Sequence, residues 1–176
     1  YANSRASIDL HLRNLFNTYK FPIIITRTAN VYGPTQQIYR IIPKTILSVI
    51  LKKKLSLHGG GNSRRSFIHI DDVSRALLKI LINGKIGDTY HISTNNFISI
   101  KNLVLKIFKT MKGNRKLIKN TSDRPGKDAN YKLSSLKLRK KLDWKPEINL
   151  ATGLKETIEW TYKNIVYLNK ANKEYK

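Results

Sequence analysis

The 176-residue sequence contains no cysteine, which excludes disulfide bonds and any cysteine-based nucleophile or metal site. It also lacks an apolar run of the length that a membrane-spanning helix needs. It begins with Tyr1, without an initiator methionine or a signal-peptide pattern. We therefore expect a cytoplasmic protein without membrane contact, and either a processed chain or the C-terminal piece of a longer one.

Acidic residues are scarce: 11 Asp and Glu stand against 34 Lys and Arg, giving a net charge of +23. Such an excess can bind nucleic acid by neutralising phosphates. The basic residues are spread through every segment, however, and no known nucleic-acid-binding module accompanies them. We interpret them mainly as a lysine-rich solvated surface whose field also attracts an anionic substrate. A nucleic-acid-binding protein remains a distant alternative.

Hydrophobic periodicity alternates between helical and extended patterns, which predicts an α/β fold with a parallel sheet. The helix that carries Ile8, Leu12, Leu15 and Phe16 is amphipathic, and this apolar stripe suits either a core or a dimer contact. A loop is expected over 28–38, a basic connector around 123–126, and a cap from Asp71 and Asp72 on the helix that follows them. The predicted helices cover about 2–20, 43–53, 73–83, 100–112 and 134–141, with a last one through Leu154 and Ile165; the predicted strands cover 23–27, 55–58, 66–70 and 89–93.

The chain has no glycine-rich dinucleotide-binding fingerprint. Gly59-Gly60-Gly61 leads into a predicted strand, whereas a dinucleotide loop leads from a strand into a helix. We therefore predict a turn there. His11, His58, His69 and His91 show no metal-ligand spacing, so no metal site is expected and these side chains are assigned to surface or core positions.

Several residues are candidates for chemistry. Tyr1 and Arg5 lie one helical turn apart, so the cation can stabilise a phenolate and make the tyrosine a general base. Asn30 follows a predicted buried strand, where ligands collect in open α/β sheets. Arg65 suits bidentate contact with a diphosphate. Asp123-Arg-Pro-Gly126 could shape a nucleoside pocket, although a capped loop would look the same.

The order of these elements carries a family resemblance. Tyr1-x-x-x-Arg5, Arg27-Thr-Ala-Asn-Val-Tyr-Gly-Pro34 and Arg40-Ile-Ile-Pro43 are followed by Gly59-Gly-Gly-Asn-Ser-Arg-Arg-Ser-Phe-Ile-His-Ile-Asp-Asp72, Asp123-Arg-Pro-Gly126 and Trp144-Lys-Pro146. This series resembles the C-terminal half of nucleotide-sugar 4,6-dehydratases of the extended short-chain dehydrogenase/reductase family. The last two elements favour enzymes acting on dTDP-glucose over UDP-sugar epimerases and decarboxylases. At position 5 arginine replaces the family's lysine.

The resemblance implies a lyase with tightly bound NAD. In that family the tyrosine deprotonates the sugar 4-hydroxyl as hydride passes from C4 to the nicotinamide, water leaves across C5 and C6, and hydride returns to C6. By this resemblance Tyr1 is the base, Arg5 holds the phenolate and the nicotinamide ribose, and Val31 approaches the nicotinamide. The substrate-binding residues it implies are Asn30, Arg40, Ile41, Ser56, Leu57, His58, Arg65, Asp123, Arg124 and Gly126.

The expected architecture is the last part of a Rossmann-type parallel sheet plus a small α/β substrate-binding lobe. Residues 1–34 would end the NAD-binding domain, 35–168 would form mainly the lobe, and 169–176 a frayed basic tail. The family implies a homodimer in the full-length enzyme, and the family's NAD loop and acidic elimination pair are absent from these residues. The chain alone is therefore expected to be inactive. Another nucleotide-sugar epimerase or dehydratase, or an inactive nucleotide-binding remnant, are the alternatives.

Overall fold

The computed structural model describes residues 2–123, 126 and 128–171. Helices and strands alternate along most of this chain, as the sequence predicts. The helices are α1 (Ala2–Tyr19), α2 (Ile41–Ile50), α3 (Ile70–Asn83), α4 (Ile100–Thr110), α5 (Leu136–Leu142), α6 (Leu150–Lys163) and α7 (Ile165–Lys170). The strands are β1 (Ile25–Thr28), β2 (Asn30–Tyr32), β3 (Leu55–His58), β4 (Arg64–His69), β5 (Thr89–Ile92), β6 (Phe97–Ser99), β7 (Ile118–Thr121) and β8 (Asn130–Tyr131).

Parallel pairing dominates the strands. β1 pairs with β5, β2 with β4, and β3 with β7, all in parallel. β4 also pairs with β6 in the antiparallel sense and with β8 in parallel. Since parallel neighbours need a crossover connection, each pair is joined through a helix or a longer segment. The predicted α/β class with a parallel sheet is confirmed.

The core is divided among the layers between helices and strands. One cluster joins α3 and α5 to β4 and β5 around Ile68, Ile92 and Trp144. A second joins α2, α4 and α6 to β2 and β4 around Ile46, Phe67 and Leu154. A smaller one packs β3 on α4. The core therefore lies between the helices and the strands, and the strand ends lie at its margin, where a site can form.

Three boundaries differ from the sequence prediction. The loop expected over 28–38 contains β2, a strand of three residues that pairs with β4. The polar connector contains β7 and β8, and the single last helix is two helices meeting at Asn164. Such short strands leave little periodicity in the sequence, because pairing with a neighbour and not local preference holds them.

The start of α3 is predicted correctly in its charge but not in its cap: Asp71 and Asp72 lie in the first turn, yet neither is the N-cap residue. The helix begins at Ile70, one residue before the acidic pair, and His69 is its N-cap through Nδ1, which accepts the Asp71 N–H at 3.4 Å. Asp72 is fully buried and instead accepts the backbone N–H groups of Glu147 (2.8 Å) and Ile148 (3.1 Å). Its carboxylate also pairs with Arg75. Asp72 therefore anchors the chain that enters α6.

Helix α1 packs loosely on the rest of the chain. None of its residues whose exposure is described is buried, and Ile8 in the predicted apolar stripe is 58% exposed. Polar contacts attach it to the β1–β5 pair: Asp9 pairs with Arg27, and Arg13 donates to the Thr89 hydroxyl at 3.0 Å. The other stripe residues, Leu12, Leu15 and Phe16, are partly buried, and the Phe16 ring lies against Gly87, so the stripe is a half-buried contact at the margin of the core.

Candidate functional site

Asn30 and Arg65 lie on neighbouring strands at one place in the sheet. Asn30 opens β2 opposite Phe67 of β4, and its Nδ2 donates to the Ser66 carbonyl at 3.2 Å. Arg65 precedes Ser66 on β4, and its guanidinium donates to the carbonyls of Arg64 (2.8 Å) and Asp128 (2.7 Å). These bonds use two of five guanidinium donors and fix its direction. The pair can bind an anion through an amide and a fixed cation.

His58 ends β3 beside a polar strand end. It is opposite Thr121 in the β3–β7 pair, and its Nδ1 lies 3.1 Å from the Thr121 hydroxyl and 3.4 Å from the Ser122 carbonyl. Ser56 is exposed on the same strand. The Leu57 side chain faces the core and is 3% exposed, so only its backbone can reach a ligand.

The segment 122–129 joins these two groups of residues. It leaves β7 beside His58 and enters β8, which pairs with β4 at Arg64 and Arg65. At its start the Asp123 carboxylate lies against Gly59: a Cβ built there would be 2.3 Å from Oδ2. Gly126 has a φ of +69°, a left-handed backbone suited to glycine. Arg124 lies outside the described residues.

The start of α2 approaches the same region. Arg40 is the N-cap residue of α2, and its exposed guanidinium lies 5.4 Å from the ring centre of Tyr39. Ile41 packs against the cluster that contains Leu57 and so joins α2 to β3. Ile41 thus lies on the core side of β3, and Arg40, its neighbour in the chain, is exposed to solvent.

The predicted catalytic pair is described only in part. Tyr1 lies outside the described residues. Arg5 is exposed in the first turns of α1. The contacts of α1 with Arg27 and Thr89 place this helix beside β1, which is separated from β2 only by Ala29. Helix α1, which carries Arg5, therefore contacts the strand that immediately precedes β2 and Asn30 in the chain.

Gln36 is a polar residue of this region that sequence reasoning missed. Its Nε2 donates to the Val31 carbonyl at 2.6 Å. Its Oε1 is buried and has no hydrogen-bond partner among the described residues. A buried amide oxygen without a donor is costly unless a ligand or water supplies one. No sequence signal marks Gln36, since its contact depends on the fold of the loop after β2.

Buried Tyr32 faces a negatively charged part of the molecule. Its ring packs edge-on against His69 with centroids 5.4 Å apart. Burial, and then the charges of Asp72 and Glu156, raise the pKa of Tyr32 well above its usual range. This tyrosine is therefore neutral near pH 7 and is not a candidate base. Trp144 is buried, as predicted for a packing residue.

Parallel strand pairs flanked by helices, with polar side chains gathered at strand ends, define a Rossmann-type α/β protein. Comparison with known proteins gives the family. The family described as GDP-mannose 4,6 dehydratase matches residues 1–157, and the chain belongs to it.

Individual proteins similar to this chain support the same family. The dTDP-D-glucose 4,6-dehydratase of Mus musculus is 36% identical over 170 residues, covering 93% of this chain and 48% of the mouse protein. The crystal structure of the Bacillus anthracis dTDP-glucose 4,6-dehydratase in complex with NAD superposes with a TM-score of 0.90 at 32% identity, covering 95% of this chain and 53% of that one. The Streptomyces venezuelae dTDP-glucose 4,6-dehydratase, also crystallised with NAD, gives 0.92 at 30% identity, over 95% and 52%.

The predicted resemblance to dTDP-glucose 4,6-dehydratases is thereby confirmed. The chain spans about half the length of the relatives it matches. Among the described residues, no helix combines the length and the apolar character required to cross a membrane.

Proposed function

We propose that this chain forms the substrate-binding part of a dTDP-glucose 4,6-dehydratase, which forms dTDP-4-keto-6-deoxyglucose. The observation that supports this most is the segment 122–129. It begins beside His58 and Gly59, ends beside Arg65, and holds the Asp-Arg-Pro-Gly element. The segment thus has a polar end at His58 and a cationic end at Arg65. A nucleoside diphosphate matches these two ends, because it carries a base and sugar at one end and two charged phosphates at the other.

Each end has a role in this proposal. Arg65 and Asn30 bind the diphosphate through charge-assisted and neutral hydrogen bonds. His58 and the Ser56–Leu57 backbone contact the nucleoside. The family resemblance adds further residues to the nucleotide-binding set: Arg40, Ile41, Asp123, Arg124 and Gly126.

The reacting sugar is assigned to the α1 side. Tyr1 takes the proton of the sugar 4-hydroxyl, and Arg5 stabilises the resulting phenolate by its charge. Arginine stays protonated at every physiological pH, so it retains this function of the family's lysine. It is planar and bulkier, so its hydrogen bonds to a ribose differ from those of lysine.

The residues of this chain fit one end of a bound NAD. Gln36 Oε1 is a buried acceptor that lacks a donor among the described residues, next to the main chain of Val31. A carboxamide N–H group would satisfy it. Val31, Gln36, Arg5 and Tyr1 would then hold the nicotinamide end. When bound, NAD supplies the acceptor and donor of hydride.

We further propose that turnover requires a second segment, which carries the dinucleotide loop. This second segment would dock on two surfaces of the present chain. One is the free edge of β1, which pairs only with β5 among the described strands, and the other is a group of exposed apolar side chains of α3. Leu78, Leu81 and Ile82 are 59%, 79% and 68% exposed. Large apolar side chains exposed together on one helix indicate a covered surface in the complete protein. The Ile8 side of α1 is proposed for the homodimer contact.

Calorimetric titration of the chain with thymidine diphosphate tests the binding role. We expect 1:1 binding that Arg65→Gln weakens about 10- to 100-fold, the loss of one charged hydrogen-bonding partner. Arg64→Gln is the matched control, because this neighbour contacts the Phe97 ring and carbonyl. Equal loss in both variants would contradict a specific role for Arg65.

Competing ligands distinguish the alternatives. Tighter binding of uridine diphosphate would indicate another nucleotide-sugar epimerase or dehydratase. Preference for an oligonucleotide of equal charge, with affinity falling steeply with salt, would indicate a nucleic-acid-binding protein. A chain that binds thymidine diphosphate and still fails to convert dTDP-glucose when an N-terminal segment bearing the dinucleotide loop is co-expressed would be a remnant.

A further inference from the structure

One acidic cluster lies apart from the proposed nucleotide site. It consists of His69 at the end of β4, Asp71 in the first turn of α3, and Glu156 in α6. One ligand atom from each can be chosen so that all lie within 4.8 Å of one another. Asp71 and Glu156 are 57% and 47% exposed at their side chains, whereas His69 is fully buried. The carboxylates thus open to solvent over a buried imidazole.

The imidazole directs a polar atom without a partner at this cluster. His69 Nε2 is buried, with no hydrogen-bond partner among the described residues, and Glu156 Oε2 lies 3.5 Å away. This separation is too long for an N–H···O hydrogen bond. It matches the spacing of about 3.4 Å between two ligand atoms on a tetrahedral ion with bonds of about 2.1 Å.

Two glycines keep the edge of the imidazole clear. A Cβ at Gly33 would lie 3.1 Å from Nε2, and a Cβ at Gly153 would lie 2.9 Å from Cδ2. Side chains at either position would crowd the ring edge that carries Nε2. The absence of side chains at these two positions therefore leaves the ring edge free of side-chain atoms from Gly33 and Gly153.

The surroundings favour a cation. Asp72 lies fully buried nearby, and its charge and that of Glu156 act on the same Tyr32 hydroxyl. A negative cluster is unusual in a chain of net charge +23. Imidazole with carboxylates is a ligand set suited to zinc and similar divalent ions.

We propose that His69 Nε2 and the Glu156 carboxylate bind a divalent cation of the zinc type. Metal at Nε2 puts the ring proton on Nδ1, which lies 3.6 Å from Asp71 Oδ2. In the metal-free chain Nδ1 instead accepts the Asp71 N–H at 3.4 Å. Metal binding would replace that hydrogen bond by one from Nδ1–H to the Asp71 carboxylate, which has to move closer than 3.6 Å and then orients the ring, the usual arrangement around a metal-bound histidine. Water completes the coordination. The ion joins α6 to the end of β4, beside the loop with Gly33, and so stabilises the region after β2.

The test compares the chelator-treated chain with and without Zn²⁺. We expect the thermal unfolding midpoint to rise by roughly 5 to 10 °C at a free Zn²⁺ concentration about a hundred times the dissociation constant. Glu156→Gln should abolish most of this rise, and Asp71→Asn should reduce it. Glu159→Gln, a change to an exposed carboxylate on the same helix, should leave it intact.

A spectroscopic measurement distinguishes this site from ions held by other histidines. Co²⁺ added to the chelator-treated chain should give the visible absorption of a low-symmetry protein site, and Glu156→Gln should remove that absorption. Equal Zn²⁺ stabilisation and equal Co²⁺ spectra in the unmodified chain and Glu156→Gln would overturn the proposal. So would the lack of any Zn²⁺ effect on the unmodified chain.

Discussion

Buried Asp72 allows the most quantitative prediction. Asp72→Asn preserves the shape of the side chain but replaces one carboxylate oxygen by an NH2 group. One of the two backbone N–H groups, of Glu147 or Ile148, then faces a donor, and the other keeps only a neutral acceptor. Losing one hydrogen bond to a charged acceptor costs about 1.5–3 kcal/mol, and weakening the second adds about 0.5–1 kcal/mol. Water that reaches the amide of exposed Glu147 offsets part of this loss, and the lost ion pair with the partly exposed Arg75 adds up to about 1 kcal/mol, so we expect a total of about 2–4 kcal/mol.

Urea unfolding at pH 7 with chelator present, followed by circular dichroism, measures this loss. The control is Asp71→Asn, the same substitution at the adjacent exposed position. It should cost at most about 1 kcal/mol, through the interaction of its charge with the N-terminus of α3. If Asp72→Asn destabilises the chain no more than Asp71→Asn, the anchoring role of Asp72 is refuted.

Three further predictions concern pH, backbone and motion. Burial, and then the charges of Arg27 and Lys137, lower the pKa of His91 in the folded chain. The folded chain therefore favours neutral His91. The stability that neutral His91 contributes is present above the unfolded pKa of about 6.5 and is lost as the pH falls through the lower pKa of the folded chain. Unfolding free energies of the unmodified chain and His91→Gln should therefore converge from pH 7 to pH 5, and a constant gap would contradict this. Gly59→Ala should destabilise the chain and weaken thymidine diphosphate binding more than Gly60→Ala does. Both glycines have left-handed backbones (φ +58° and +64°), but only a methyl group at position 59 would clash with Asp123. Equal effects of the two substitutions in calorimetry would argue against that contact. Amide hydrogen exchange in α1 should be much faster than in α4, whose Leu103 and Ile107 are fully buried, and comparable protection would show that α1 is held more firmly than its contacts indicate.

Much of the fold could be predicted because the relevant signals are local. The helix predicted from residue 100 begins there as α4, because the Ser99 hydroxyl caps it by accepting the Asn102 N–H at 3.1 Å. The glycine run was expected to form a turn, and Gly59–Gly61 forms a single 3-10 turn before β4. Both depend on residues within a few positions of one another, so backbone preference alone decides them.

The errors arise where distant residues decide. Two adjacent aspartates before a helix indicate a cap, yet Asp72 anchors a segment that the sequence places far downstream. Ser134 was expected to open α5, but Ser135 is the N-cap residue. The proximity of Glu156 to His69 is likewise invisible in the sequence, because it depends on the packing of α6 on β4. Sequence periodicity does not contain such tertiary contacts.

The candidate nucleotide site could be predicted only in part from the sequence. Strand-end reasoning points to Asn30, and in the structure Asn30 lies opposite Phe67 on the parallel β2–β4 pair and bonds the Ser66 carbonyl, next to Arg65 in the chain. The family resemblance, not periodicity, identified the 123–126 element. The structure then adds that this element connects the two strand ends.

The central claim is that a nucleoside diphosphate binds along the path from His58 to Arg65. Amide chemical shifts of the isotope-labelled chain, followed by NMR during titration with thymidine diphosphate, test it most directly. We predict shifts at Asn30, His58, Arg65 and Gly126 that saturate together with one dissociation constant, while Lys106 and Lys109 on the open basic face of α4 stay unchanged. Shifts distributed over the lysine-rich surface, without saturation and without a common dissociation constant, would contradict the account.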